Sequence, residues 1–339
     1  MGKMNMKAWM EEVIRSKERR AIPIMTHPGI ERIGATVRQA VTNGYVHSKA
    51  ILQLYEAYPA AATTVIMDLT VEAEAFGAEI RFPEDEVPAV IGRLVTDWDS
   101  VEALQVPGLD RGRVPEYLKA NRRTAARIPD KPVLAGCIGP YSLAGRLYGM
   151  TEIMLALYLE PEVIGVLLDK CTDFLKAYCR ALKETGVNGV VMAEPAAGLL
   201  SDEDCRNFSS VYVQRVVEAV QEESFLVILH NCGNTGHCTP AMVASGAAAY
   251  HFGNKIRMID ALDACPPDTL VMGNLDPVGL FKQGTPEEVR SETLALLRAT
   301  AAYPNFVLST GCDIPPEVSP AHIEAFYEAL EVYNREVIA

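Results

Sequence analysis

The sequence predicts an α/β protein, a (β/α)8 TIM barrel carrying an N-terminal helix and an insertion after the second strand. Three observations carry that prediction. The chain has 339 residues, 49% of them hydrophobic and 22% charged, which suits one large core without disordered or fibrous bias. Eight short apolar runs are each followed by small or polar residues and then a helical pattern. No internal repeat, low-complexity tract or linker divides the chain, so a single domain over 1–339 is expected; barrels routinely exceed the usual domain size.

Met6, Trp9, Met10, Val13 and Ile14 fall on one face at helical spacing, so the chain opens with an amphipathic helix packed on the outside or the closed end of the barrel. The eight strands are read as Ala21–Met25, Thr64–Met67, Pro132–Cys137, Gly189–Ala193, Leu226–Leu229, Ala248–Phe252, Leu270–Gly273 and Phe306–Ser309. Helices are expected over Ser201–Glu222 and Thr285–Ala302, among others. Eight such units favour a closed barrel over an open doubly wound sheet, which usually has fewer strands. From Glu72 to Ala120 the rhythm is broken by Pro83, Pro88, Pro107 and Pro115 and by acidic residues, the mark of an insertion. Insertions after barrel strands lie at the C-terminal face, where such enzymes place their chemistry.

A net charge of −13 argues against nucleic acid and anionic membranes as partners, because both need a concentrated basic patch. Lys3, Lys7, Glu11 and Glu12 interrupt the first residues, no signal peptide is read there, and no apolar run reaches membrane-spanning length. A cytoplasmic enzyme is the expectation. The eight cysteines are accordingly read as thiols or metal ligands, not disulfides. Gly136-Cys137-Ile138-Gly139-Pro140 lacks both the P-loop lysine and the dinucleotide spacing and is read as a close-packed strand end.

The informative chemistry lies at two strand ends. His230-Asn231-Cys232-Gly233 follows the fifth predicted strand and Gly311-Cys312-Asp313 the eighth, which puts them on the same barrel face. In extended chain His230 and Cys232 point to the same side, so an imidazole and a thiolate can meet one ion while Cys312 closes in. Three protein ligands leave a fourth position open, the pattern of a catalytic zinc site. A tighter grouping of His230, Cys232, His237 and Cys238 is less suitable, because adjacent residues are poorly placed around one tetrahedral ion.

Asp68-Leu69-Thr70-Val71-Glu72-Ala73-Glu74-Ala75-Phe76-Gly77, Gly273-Asn274-Leu275-Asp276-Pro277 and Gly284-Thr285-Pro286-Glu287-Glu288-Val289 resemble the uroporphyrinogen decarboxylase superfamily over nearly the whole chain. His-x-Cys followed much later by Cys resembles the zinc signature of its corrinoid-dependent methyltransferase branch, the methylcobamide:coenzyme M methyltransferases and their relatives. The decarboxylase branch carries Arg-Gln-Ala-Gly-Arg-Tyr shortly after the first strand; here that stretch is Thr26-His27-Pro28-Gly29-Ile30. The resemblance thus implies Zn2+ on His230, Cys232 and Cys312, and methyl transfer from methylcobalamin on a partner corrinoid protein to a small-molecule acceptor. Coenzyme M, homocysteine or a tetrahydrofolate amine would each serve. Glu194, ending the fourth strand, is a candidate fourth ligand at rest or a base for the acceptor's proton. His27, Asp68, Asn274 and Asp276 are candidates to bind the corrin or the acceptor. Asp276 precedes Pro277 and is also read as a turn residue, and His251 as structural. A non-catalytic zinc or corrinoid-binding protein is the rival function class.

Overall fold

Among the described residues nine strands form: β1 (Thr63–Thr64), β2 (Glu79–Arg81), β3 (Ala89–Ile91), β4 (Val133–Ile138), β5 (Gly189–Ala193), β6 (Leu226–Asn231), β7 (Ala249–Phe252), β8 (Leu270–Leu275) and β9 (Phe306–Thr310). The computed structural model describes residues 4–338. Seven strands run parallel in one curled sheet in the order β1-β4-β5-β6-β7-β8-β9, while β2 and β3 make a separate antiparallel hairpin. Helices follow the strands, giving a TIM-barrel-like α/β fold.

The edges of the sheet are bridged by the segment read as the first strand. The Ile22 N–H donates to Leu308 O (2.9 Å), Leu308 N–H to Arg20 O (3.0 Å) and Ala61 N–H to Ala21 O (2.9 Å). Only Ala21 counts as a ladder residue, paired parallel with Leu308. Pro23 has no N–H to extend the pairing, and the Ile24 N–H goes to the Thr310 hydroxyl instead (3.1 Å). The second predicted strand is likewise shorter than expected. The Ile66 N–H leaves the ladder for Nε2 of His47 (3.1 Å), whose burial lowers its pKa to about 3 and keeps the ring a neutral acceptor.

Alternation along the strands divides the apolar residues into two sets. Leu134, Val191, Leu226, Ile228, Ala249, Leu270, Met272 and Val307 pack together with Ile22 and Ala62 inside the barrel. Residues of the opposite parity, such as Val133, Val190, Leu229, Tyr250 and Phe306, join the larger cluster under the helices. The opening helix Met6–Arg15, capped by Asn5, sends Met6, Met10 and Val13 into the inner cluster. It therefore plugs the N-terminal end, the second of the two places its pattern allowed.

Two boundaries differ from the sequence reading. The region taken as an insertion up to Ala120 holds the helix Val71–Phe76, the β2–β3 hairpin and the helix Trp98–Ala103, but from Val114 onward the chain is already in a helix that runs to Ala125. Pro115 stands in its first turn, where proline is tolerated, and so starts an element instead of breaking one. The helix expected over Ser201–Glu222 is interrupted by a π-helical turn, Arg206–Ser210, which turns Ser209 toward Glu194. No helix among the described residues is long and apolar enough to cross a membrane.

Met6 is fully buried at the plugged end, far along the strands from the residues discussed next. Met6→Ala is expected to lower the unfolding free energy by about 2–5 kcal/mol, read as a lower urea midpoint; an unshifted midpoint would show that the plug is not part of the cooperative core.

Candidate metal centre

The inner positions of the strands change character near their C-terminal ends. Past Leu226 and Ile228 the same face of β6 carries His230, past Ala249 that of β7 carries His251, and past Val307 that of β9 carries Ser309. His230 pairs in register with His251. Just beyond β6 and β9, Cys232 and Cys312 turn inward, and one donor atom from each of His230, Cys232 and Cys312 lies within 4.8 Å of the other two. Tetrahedral zinc needs donors separated by roughly 3.7 Å, given its bond lengths to sulfur and nitrogen, so these three side chains need only close slightly around an ion.

Local backbone chemistry brings the two cysteine loops together. Oδ1 of Asn231 accepts from the N–H groups of Gly233 (2.9 Å) and Asn234 (3.0 Å), an Asx turn that folds Cys232 back over the barrel. Gly253, after β7, touches that loop so closely that a Cβ there would stand 2.6 Å from the Cα of Cys232. A Cβ on Gly311 would meet the Asn254 nitrogen at 2.7 Å. On the other side, Oδ1 of Asp313 accepts from the Thr26 N–H (2.9 Å) and Oδ2 from the Thr26 hydroxyl, tying the Cys312 loop to the first-strand segment.

Interaction with Cys312, and then the charge of Lys255, bring the Cys232 thiol down to about 7 against the effect of burial. Interaction with Cys232, with burial, pushes Cys312 up. A metal cation between them would stabilise both thiolates. Behind this pair, hydrogen bonds select one tautomer of His230. Ser309 donates its hydroxyl proton to Ile22 O (2.7 Å), so it accepts from Nε2–H of His251 (2.8 Å). Burial, and then His230, keep His251 neutral, so its Nδ1 is an acceptor. Nδ1 of His230, 2.7 Å away, must therefore be the donor, which leaves the Nε2 lone pair of His230 free for a metal.

The remaining sequence candidates are placed elsewhere. Glu194 is 1% exposed and stands outside the three-donor group. Its carboxylate accepts from the N–H groups of Tyr141 (3.0 Å) and Ser142 (2.7 Å) and from the Ser209 hydroxyl (2.8 Å), at the N-terminus of the helix Pro140–Tyr148. Burial raises its pKa and these donors oppose the rise. Asp68 is ion-paired with Arg113 and accepts from Thr70. Asn274 gives its amide N–H groups to Gly253 O (2.9 Å) and Ile256 O (2.7 Å). Asp276 caps the turn Pro277–Lys282 through Val278 and Gly279, the turn role its sequence context also allowed. His27 is buried 4.0 Å from Asp313 and lines a separate cavity with Glu31 and Lys282. Both ring nitrogens of His237 are engaged, by Thr235 and Leu200 O, so the compact alternative site does not form.

A cavity of about 400 Å³ opens beside Cys232, lined also by Ile138, Arg146, Met150, Leu199 and Lys255. A larger one, about 890 Å³, lies among Arg20, Ala60 and Lys131, residues that precede the strands and so belong to the opposite end, away from His230, Cys232 and Cys312. Arg146, Lys255 and the proton-fixing role of His251 were not found by sequence reasoning, since a cation on an amphipathic helix or in a loop has no distinguishing spacing.

Two outcomes are expected. Calorimetry of zinc binding in buffers of different ionisation heat should show roughly one proton released per chain at pH 8, where Cys232 is already a thiolate, and closer to two at pH 6; no release would contradict a two-thiolate site. His251→Leu, which removes the acceptor for His230 Nδ1–H, should weaken zinc binding by about 10–100-fold in a chelator competition, and unaltered affinity would remove the tautomer argument.

Comparison with known proteins agrees with this architecture. A methylcobamide:CoM methyltransferase of Methanosarcina mazei is 29% identical over 277 residues, covering 80% of each chain. A uroporphyrinogen decarboxylase of Vibrio campbellii is 26% identical over 308 residues, 86% of each chain. The solved structure of a methyltransferase from Methanosarcina mazei superposes with a TM-score of 0.88 at 22% identity, over 98% of this chain and 99% of the other, which shows the shared fold. The uroporphyrinogen decarboxylase (URO-D) family profile matches residues 13–333, and this chain belongs to that family.

Proposed function

We propose that the chain is a zinc- and corrinoid-dependent methyltransferase that moves a methyl group from a methylcobamide to a small thiol. The observation that carries this reading is the convergence of His230, Cys232 and Cys312 from two strands far apart in sequence, with no fourth donor joining the group among the described residues. Zinc held by His230, Cys232 and Cys312 would act as a Lewis acid that lowers the pKa of an acceptor thiol toward neutral pH. The methyl group would pass from the methylcobamide to the acceptor sulfur, an S–CH3 bond forming as the cobalt–carbon bond breaks and leaves its electron pair on cobalt.

The chain's own residues supply placement and polarity. His251 and Ser309 hold His230 in the tautomer that offers Nε2. Glu194, with its oxygens engaged by the start of the helix Pro140–Tyr148, acts as an anchor for the cavity wall in place of the ligand or base role the strand end suggested. His27, Asp68, Asn274 and Asp276 hold the surrounding loops and leave acceptor recognition to the cavity. The name of the Methanosarcina mazei relative supports methylcobamide as donor, delivered by a separate corrinoid protein over the barrel mouth. We count the segment bridging β9 and β1 as the first strand, which makes the sheet a closed (β/α)8 barrel in one domain. All eight cysteines are free thiols, in keeping with the reducing cytoplasm.

Decarboxylation of a porphyrinogen fits less well. Its many carboxylates call for several arginines, and the guanidinium of Arg113 is already occupied by Asp68, Glu74 and Thr70. The test is Cys312→Ser beside wild type, with metal content and methyl transfer from methylcobalamin to thiols as readouts. About one zinc per chain is expected in wild type, weakened in the variant, with transfer slowed more than about 100-fold at unchanged circular dichroism. Full transfer by the variant would sink the mechanism.

A further inference from the structure

The cavity that His27 lines has a volume of about 430 Å³ and is built by four separate segments of the chain. The helix His27–Arg32 supplies His27 and Glu31, the turn between β2 and β3 supplies Asp85 and Glu86, the turn Pro277–Lys282 its last residue, and the loop after β9 Glu317. Four carboxylates therefore line it against one ammonium, that of Lys282, which stands 3.5 Å from Glu317. Glu31 and Glu317 are held side by side, Oε1 of Glu31 accepting the Glu317 N–H (2.6 Å). Asp85 and Glu86 make no hydrogen bond or ion pair among the described residues. Exposed carboxylates are satisfied by water, but His27 is only 6% exposed. Its Nδ1 is buried without a partner, and its Nε2 is 4.0 Å from Oδ2 of Asp313, beyond hydrogen-bond reach. The Asp313 oxygens are taken by Thr26. A buried imidazole with neither nitrogen bonded is unfavourable, so the ring calls for a group entering from the cavity it lines.

We propose that this cavity binds a small organic ammonium compound, its cationic ends among Glu31, Glu317, Asp85 and Glu86 and one N–H donated to the imidazole of His27. The charge of the lining selects a cation over an anion. The spacing selects a molecular cation over a bare metal ion: among the described residues no three histidine, aspartate or glutamate donors of this cavity lie within 4.8 Å of one another, whereas a metal draws its ligands to roughly 2–2.6 Å from itself. A volume of about 430 Å³ is that of a small-molecule pocket. Ile30, Val37 and Pro316 add apolar wall, which suits a short alkyl chain. With two carboxylates from the hairpin turn and two held together by the Glu31–Glu317 contact, a diammonium compound matches the lining better than a monoammonium one. The inference does not depend on methyl transfer by the metal centre.

The experiment titrates the full chain by calorimetry at low salt with putrescine, n-butylammonium, tetramethylammonium and butyrate. About one putrescine per chain should bind, at least about tenfold more tightly than n-butylammonium, in the range of one further charge-assisted contact. Tetramethylammonium, which has no N–H for His27, should bind more weakly than n-butylammonium, and butyrate should not bind. Asp85→Asn combined with Glu86→Gln, both exposed side chains, should weaken putrescine at least about tenfold, and His27→Leu should bring n-butylammonium down to the level of tetramethylammonium. Glu292→Gln, an exposed carboxylate outside the cavity, should leave putrescine binding as in wild type. No saturable binding of putrescine, binding of butyrate as tight as that of n-butylammonium, or an affinity unchanged by the Asp85/Glu86 substitutions overturns the inference. So does an equal loss in Glu292→Gln, which would assign the binding to net charge, or displacement of putrescine by magnesium at equal concentration, which would assign the cavity to a hydrated metal ion. Should His27→Leu fail to fold, the exposed pair and the wild-type series decide it alone.

Discussion

The two-residue alternation of parallel strands around a closed interior is the constraint on which this molecule depends. On the inner face of β6, β7 and β9 it places Ile228, Ala249 and Val307 in the packed barrel and His230, His251 and Ser309 one step further along. A register shift of one residue would send all three polar groups under the helices and bring Leu229, Tyr250 and Leu308 into the mouth. The same inner core that stabilises the barrel thus sets the height and direction of His230 and the two groups behind it.

The polar layer at the top of that core is arranged so that each buried group determines the next. Ile22 O takes the proton of Ser309, Ser309 takes that of His251, and His251 takes that of His230. This chain runs across the seam where the bridging segment pairs with β9, so the pairing of that segment and the tautomer of His230 depend on the same contacts. The thiol pair adds the complementary electrostatics: the partly buried Cys232 is lowered and Cys312 raised by their interaction, and a divalent cation would stabilise both thiolates.

Glu194 links the metal centre to the cavity wall. Its backbone N–H donates to His230 O (2.8 Å), while its carboxylate binds the first turn of the helix that carries Arg146. A buried carboxylate facing helix N–H groups is favourable electrostatically, and the π turn that presents Ser209 supplies a further donor. The position of the cation in the cavity therefore follows from the end of β5, next to the ligand strand.

The sequence by itself determined the α/β class, the positions of most strands and the opening helix, and it grouped His230, Cys232 and Cys312, which the fold brings together, because each rests on local periodicity or on residue types whose chemistry is narrow. Leu226, Ile228 and His230 share a strand face whatever surrounds them, and a histidine and two cysteines at strand ends have few other shared purposes. Only the tertiary structure decided that Pro23 reduces the first strand to a bridge, that Pro115 opens a helix, that Asp68 pairs with Arg113, Asn274 with the carbonyls of Gly253 and Ile256 and Asp276 with the turn after it, and that Glu194 faces a helix start. Only it, too, put Arg146 and Lys255 beside Cys232. Those outcomes depend on which hydrogen-bonding groups and charges meet across distant segments, and a buried polar group takes the partner that packing brings within about 3 Å, which no one-dimensional spacing encodes.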